Sequence, residues 1–276
     1  MNVDSSVHER ISVDNICFPG VTLATDIERW RSLGARQIGI AVAKMKTEGW
    51  DQSVELLRRA AFRVATLVHP FMVPHQLDEA EHIETAQRDL SRTLAAAQTL
   101  GARTVYMVTG GRGTLSWEEA AERFCAAIAP GAEEARRAGV ELLIEPANPL
   151  YADVNIVHSL RDTVSLAEQA GIGVCIDIFP SWTEAQLRDS IERAMKRCHL
   201  VQVGDYVLGD RALSCRAVPG DGVIPLERII GWILDAGYKG AFDLELLGPR
   251  IDKEGHYEAV RRTCEWLGAL LTRLGA

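Results

Sequence analysis

The chain has 276 residues, of which 47% are hydrophobic, a length and balance that suit one closed α/β barrel of about 250 residues. No apolar run approaches the ~20 residues needed to cross a bilayer, which predicts no membrane partner. The formal net charge of -8 argues against a nucleic-acid binder, because phosphate contacts need a clustered excess of Lys and Arg.

Taken in order, the sequence opens with the polar stretch MNVDSSVHERIS, which lacks the basic start and apolar core of a secretory signal and predicts a cytoplasmic enzyme. Short apolar, β-branched runs then alternate with longer amphipathic ones, the pattern of βαβ units around a parallel sheet. The expected strands are 11–18 (ISVDNICF), 37–44 (QIGIAVAK), 62–69 (FRVATLVH), 103–110 (RTVYMVTG), 140–146 (VELLIEP), 172–179 (IGVCIDIF), 198–205 (CHLVQVGD) and 240–248 (GAFDLELLG). Each is followed by a helical segment. Gly34, Gly101, Gly139, Gly171 and Gly237 fall where helices end and suit left-handed caps.

Eight such repeats close into a (β/α)8 TIM barrel, whereas an open doubly wound sheet more often stops at five or six strands. No linker interrupts the series, so residues 1–276 read as a single domain. The paired arginines Arg58-Arg59 and Arg261-Arg262 sit in helical patterns and read as solvated faces. Six scattered cysteines form no close pair of the zinc or redox type and read as reduced thiols. The run Gly110-Gly111-Arg112-Gly113 fits neither phosphate-binding fingerprint and reads as a flexible rim loop. There is no Gly-x-Ser-x-Gly elbow and no Cys-His nucleophile pair.

Active sites of such barrels form at the C-terminal ends of the strands. Four consecutive strands end in or carry Glu145, Asp177, Gln202 and Glu245. One carboxylate in an apolar strand is as readily a satisfied structural group as a functional one, but three acids at one rim repel each other and lose hydration unless a cation neutralises them. Oxygen-only ligation by these four residues favours Mg²⁺ or Mn²⁺ over zinc, and six-coordinate geometry leaves two positions for substrate oxygens. His69, ending the third strand, is a candidate proton carrier or substrate donor, or else a satisfied loop histidine. His158 and His199 are weaker candidates.

The segments LLIEPANP, CIDIF, LVQVGDY, RAVPGDGVIPL and AGYKGAFDLELLGPR make the chain resemble the xylose-isomerase-like barrels of the sugar isomerase/epimerase superfamily, which include hydroxypyruvate isomerase, ketose 3-epimerases and inosose dehydratase. The resemblance spans essentially the whole barrel. It implies that Glu145, Asp177, Gln202 and Glu245 hold the metal, many relatives having His where this chain has Gln202, and hydroxypyruvate isomerases having Gln. It also implies a substrate-binding Arg216 in RAVPGDG, whose paired donors suit an oxygen near the metal. Arg211 nearby is a weaker second contact.

One departure stands out: many relatives carry a substrate-binding His three residues after the sixth-strand Asp, where this chain has Pro180. Trp182 lines the same wall or packs beneath it. The expected activity is isomerisation or epimerisation of a small sugar-like hydroxy-carbonyl compound through an enediolate, with Glu145 and Glu245 as the acid-base pair. The rival within the class is a lyase acting through the same enolate, as the dehydratase and C-glycoside-cleaving relatives imply. A catalytically idle barrel subunit is the rival outside it. The apurinic endonuclease branch, with its His-rich zinc cluster, is disfavoured by Gln202, Pro180 and the acidic balance. A homo-oligomer stays compatible with all of this.

Overall fold

The computed structural model describes residues 7–276; the stretch MNVDSS lies outside the described residues. Eight parallel strands close into a barrel, in the order β1 (Ile11–Asp14), β2 (Gln37–Ala41), β3 (Arg63–Pro70), β4 (Thr104–Val108), β5 (Glu141–Ile144), β6 (Gly173–Asp177), β7 (Cys198–Val203) and finally Phe242–Leu244. Between β7 and that last strand the chain inserts a small antiparallel pair, β8 (Asp205–Tyr206) and β9 (Arg216–Ala217), so the last barrel strand is β10. Parallel neighbours need a crossover, and an amphipathic helix after each strand supplies it.

Sequence chemistry sets where these helices begin and end. Ser116 and Glu119 form a reciprocal capping box before the helix Trp117–Ala138, which satisfies two otherwise orphaned donors. Gly34, Gly101, Gly139 and Gly171 are left-handed C-caps, as expected. Gly237 differs: Ala236 closes its helix, and Gly237 follows with φ 97°. Arg58 and Arg59 both pair with Glu55 on an exposed helix face, and Arg261 and Arg262 make comparable pairs with nearby acids.

Two apolar layers result from the alternation of strand side chains. The larger lies between strands and helices, with Trp30, Phe18, Phe124 and Phe242 fully buried. The smaller fills the barrel itself, with Ala65, Tyr106, Leu143, Cys175, Leu200 and Ala241 in one cluster. All six cysteines are free, and Cys17, Cys175, Cys198 and Cys264 are buried. The Gly110–Gly113 run, expected as a flexible rim loop, is packed in its first half and exposed at Arg112 and Gly113. Gly110 and Gly111 are buried, Gly111 bridges to Gln76, and a Cβ at Gly111 would meet the Asp153 carbonyl at 2.7 Å. Among the described residues no helix is long and apolar enough to span a membrane.

Candidate active site

Glu145 and Glu245 each sit one residue past their strands, β5 and β10, while Asp177 ends β6. These places share inward parity with the barrel-filling residues two positions earlier, Leu143, Asp243 and Cys175. Register carries the site across neighbours: Asp177 pairs with Gln202, and Gln202 with Asp243. Carboxylate oxygens of Glu145, Asp177 and Glu245 consequently lie within 4.8 Å of one another. They border a cavity of about 240 Å³ at the C-terminal mouth, with Arg216, Phe179 and Pro180 on its walls. A larger cavity of about 650 Å³ opens at the opposite mouth among Arg10, Arg63, Arg103 and Lys239. Among the described residues it gathers no convergent group of three carboxylates, so the smaller cavity is the candidate site.

Among the described residues Arg216 is the one basic side chain placed among the three acids. Its Nη1 and Nη2 donate to the two Asp177 oxygens at 3.1 and 2.6 Å, and Nη2 lies 3.1 Å from Glu245 Oε1. The guanidinium also stacks 4.6 Å from the Phe179 ring centre. Burial disfavours its charge, yet Asp177 and Glu245 hold its pKa above the ordinary value. One cation against three acids leaves negative charge uncompensated. Burial first, then the Glu245 and Asp177 charges, raises the Glu145 carboxyl well above the usual carboxylate range, with Arg216 pulling it down. Burial also raises Glu245, against Arg216. Glu145 Oε2 is buried without a hydrogen-bond partner, the kind of orphan a bound cation satisfies.

The turn that carries Arg216 is pinned by a residue the sequence reading passed over. Asp205 is buried, and its carboxylate accepts from the backbone N–H groups of Tyr206, Gly220, Gly222 and Ile224 at 2.7 to 3.1 Å. A Cβ at Gly222 would collide with that carboxylate, which explains the glycine there. Charge-assisted bonds of this kind hold the Pro-Gly-Asp-Gly turn and, through β9, aim the arginine.

Gln202 reaches the cluster, but with its amide nitrogen. Nε2 donates to Glu245 Oε2 at 2.8 Å and to the Tyr106 hydroxyl at 3.0 Å, while Oε1 faces Cys175 Sγ at 3.3 Å. Turning the amide over would present its oxygen to the acids and let the Tyr106 hydroxyl donate to it. Tyr106, missed in the sequence, crosses the barrel from β4, and burial followed by the Glu145 charge raises its hydroxyl well above the usual value. Asp14 and Asp243 were also missed: both are fully buried inside the barrel, and burial raises Asp14 to about 7 and Asp243 well above the ordinary range.

His69 does not join the site, correcting the expectation of a substrate donor at the rim. Its side chain points outward from β3 and shares a 2.9 Å hydrogen bond with Thr93 of the helix Ile83–Leu100. Thr93 donates its own proton to the Asp89 carbonyl at 3.1 Å, so His69 donates from Nδ1. Burial, then Lys46, lowers its imidazole to about 4. Trp182 is half-buried behind the wall rather than on it: its ring lies 6.3 Å from Tyr206, while Phe179 and Pro180 border the cavity. His158 bonds the Ala147 carbonyl at 3.0 Å, and His199 is exposed beside Glu141 at the opposite mouth. Arg211 is exposed and donates to the Tyr206 hydroxyl.

Residues 27–270 match the family described as Xylose isomerase-like TIM barrel. The chain belongs to that family. Fructoselysine 3-epimerase of Escherichia coli O157:H7 is 24% identical over 144 residues, 50% of each chain, so this chain spans about half the length of that relative in the match. A crystal structure of a protein from Sinorhizobium meliloti 1021 superposes with TM-score 0.82 and 26% identity, covering 93% of this chain and 96% of that one. The IOLI protein, crystallised with a zinc atom, gives TM-score 0.82 at 17% identity, covering 96% and 99%. An L-ribulose 3-epimerase gives TM-score 0.74 at 18% identity, covering 96% and 95%.

Proposed function

We propose that this barrel is a divalent-metal-dependent isomerase or epimerase of small sugar-like hydroxy-carbonyl compounds. The observation that carries the reading is the convergence of three carboxylates, Asp177 buried and Glu145 and Glu245 partly buried, one of them with an orphaned oxygen, on a small cavity beside an immobilised arginine. Glu145, Asp177 and Glu245, with Gln202 once its amide is turned over, are the residues that would hold the ion. An all-oxygen donor set favours Mn²⁺ or Mg²⁺. Such an ion, when bound, polarises the substrate carbonyl and offsets charge developing on its oxygens.

The chain's own groups account for the rest. Glu145 and Glu245 flank the cavity from strands on either side of Asp177 and Gln202, so one removes the proton beside the carbonyl and the other, or the same one, returns it at the adjacent carbon or opposite face. Arg216 is held firmly enough to fix a substrate oxygen without losing much further side-chain entropy. Phe179 and Pro180 close the wall with apolar surface and exclude water from the enediolate. The named epimerase relatives agree with a sugar-like substrate, and D-allulose and L-ribulose are apt first probes.

The test is incubation of the Mn²⁺-loaded protein in deuterated water with those ketoses and a panel of ketoacids, followed by NMR of recovered substrate and product. Deuterium on the carbon beside the carbonyl is expected. Product formed with no solvent deuterium would sink the proton-transfer mechanism, and label exchange accompanied by loss of a leaving group would move the assignment to a lyase.

A further inference from the structure

The loop after β3 gathers two histidines and a glutamate that form a group separate from the acidic cluster. His75, Glu79 and His82 offer ligand atoms within 4.8 Å of one another. We propose that they form a second cation site, selective for zinc or a similar nitrogen-preferring divalent ion, that fastens this loop to the start of the helix Ile83–Leu100.

The backbone prepares the arrangement. The His75 N–H bonds the Met72 carbonyl at 2.6 Å, and the short 3-10 turn Ala80–His82 brings the third residue back over the first. Glu79 Oε1 is anchored by the Gln76 N–H at 3.1 Å, which leaves Oε2 facing His75 Nδ1 at 3.1 Å and His82 Nε2 at 3.5 Å. A tetrahedral ion with bonds near 2.0 Å has ligand-to-ligand edges of about 3.3 Å, so both edges at Glu79 are already close to the required length. Among the described residues Glu79 has ion-pair contacts with these two histidines and with no Lys or Arg.

The two imidazoles stack nearly parallel, with centres 3.4 Å apart and planes 12° apart. An ion cannot lie in both ring planes at once, and one ring must therefore turn out of the stack. Their side chains are 40% and 35% exposed, which leaves a solvent side toward which one ring can turn. Two nitrogens and one carboxylate oxygen are the donors zinc prefers, unlike the all-oxygen set at the mouth.

The consequence reaches the rim. Gln76 bridges to Gly111 and donates to the Asp153 carbonyl at 2.9 Å, and the Leu77 N–H bonds the Gly111 carbonyl at 2.8 Å. Fixing His75 and His82 to one ion would brace the loops after β4 and β5 that flank the cavity.

The experiment compares metal-stripped full-length protein with its His75→Ala/His82→Ala variant, titrated by calorimetry with Zn²⁺ and followed by absorption with Co²⁺. The wild type should take up one more equivalent of zinc than the variant, and only the wild type should develop the strong visible bands of four-coordinate cobalt. The melting-temperature increase caused by zinc should shrink in the variant, by mass action. Equal zinc stoichiometry in the two proteins, with no difference in cobalt spectra, would overturn the site. Mn²⁺ uptake, measured in parallel with Glu145→Gln/Glu245→Gln, reports on the acidic cluster alone and keeps the two sites distinguishable.

Discussion

The two faces of the same strands have divided the chemistry between them. Glu145 and His69 both sit at strand ends in the sequence, yet Glu145 points into the barrel toward two other carboxylates, whereas His69 points outward into a helix interface. On the inner face burial and mutual repulsion raise the Glu145 and Glu245 carboxyls, and Arg216 only partly offsets this. On the outer face burial of a single base lowers an imidazole that has one hydrogen-bond partner and no catalytic neighbour. Side-chain parity, more than residue type or nearness to a strand end, decides which polar residue reaches substrate. Substitutions of the inner-face acids should therefore damage turnover more than folding, and outer-face ones the reverse.

The largest effect is expected from Glu145→Gln or Glu245→Gln, each lowering turnover by roughly 10²-fold or more, the usual range for a positioned acid or base. Stability should move the other way. A carboxyl whose pKa is raised in the folded chain favours folding at low pH, where it is protonated, and loses that contribution as pH rises through the folded value. Neutral Gln removes this loss, so metal-free variants should melt at or above the wild type at pH 7 to 8. A variant that unfolds while retaining specific activity would break the division between faces.

Arg216→Ala tests the same face from its cationic side. Removing one partner of a buried pair leaves the other uncompensated, at a cost of about 3–5 kcal/mol. Metal-free Arg216→Ala should therefore melt well below the wild type, and saturating Mn²⁺ should recover much of the difference by replacing the lost positive charge. Thermal melts with and without Mn²⁺ check this. Unchanged stability without metal would mean that the guanidinium does not neutralise the acids.

All eight barrel strands were legible from apolar runs alone, because each is buried on both faces, but seven of the eight C-terminal ends were set two to four residues too far, while β3 runs one residue beyond its expected end. Polar residues mark those ends: β5 stops at Ile144 and β10 at Leu244, just before the two glutamates turn into the cavity. The acids were legible for the same reason, as charges ending apolar runs. His69 carried an identical signal, and only the register of β3 against β4, which pairs it with Met107, separates it from the inner face. Asp243 had a usable signal, standing two residues before the expected rim position Glu245, whereas Tyr106 had no expected rim residue after it on β4 to mark it. The Asp205 anchor had none, since its four backbone partners lie up to 19 residues away. The His75–Glu79–His82 group likewise depends on a loop path that apolar periodicity does not describe.

On the outer face, His69 should make stability depend on acid. Its folded value of about 4 lies below the ordinary 6.5, so its contribution is complete above pH 6.5 and is lost as pH falls through 4. The full difference corresponds to about 3 kcal/mol. Exposed carboxylates titrate over the same range, so the informative quantity is the difference between wild type and His69→Gln in urea unfolding at pH 7 and pH 4. The variant should show the shallower decline, with turnover at pH 7 within about twofold of wild type, since the side chain lies away from the cavity. Equal slopes would mean that His69 ionises in the folded chain without penalty.

Trp182 should give the smallest effect and the sharpest reading of where the inner face ends. Its ring is half-buried and packs near Tyr206, which in turn meets Phe179 edge-on with centres 6.2 Å apart. Phe179 and Pro180, not Trp182, border the cavity. Trp182→Phe removes part of a packed ring but keeps an aromatic contact, which should cost about 1 kcal/mol of stability. KM and kcat for whichever ketose the barrel turns over should stay within about twofold, because the lost atoms touch only protein. A tenfold rise in KM at unchanged kcat would instead put the indole against substrate, and Trp182 would then belong to the wall that Pro180 helps to form in place of the family's histidine.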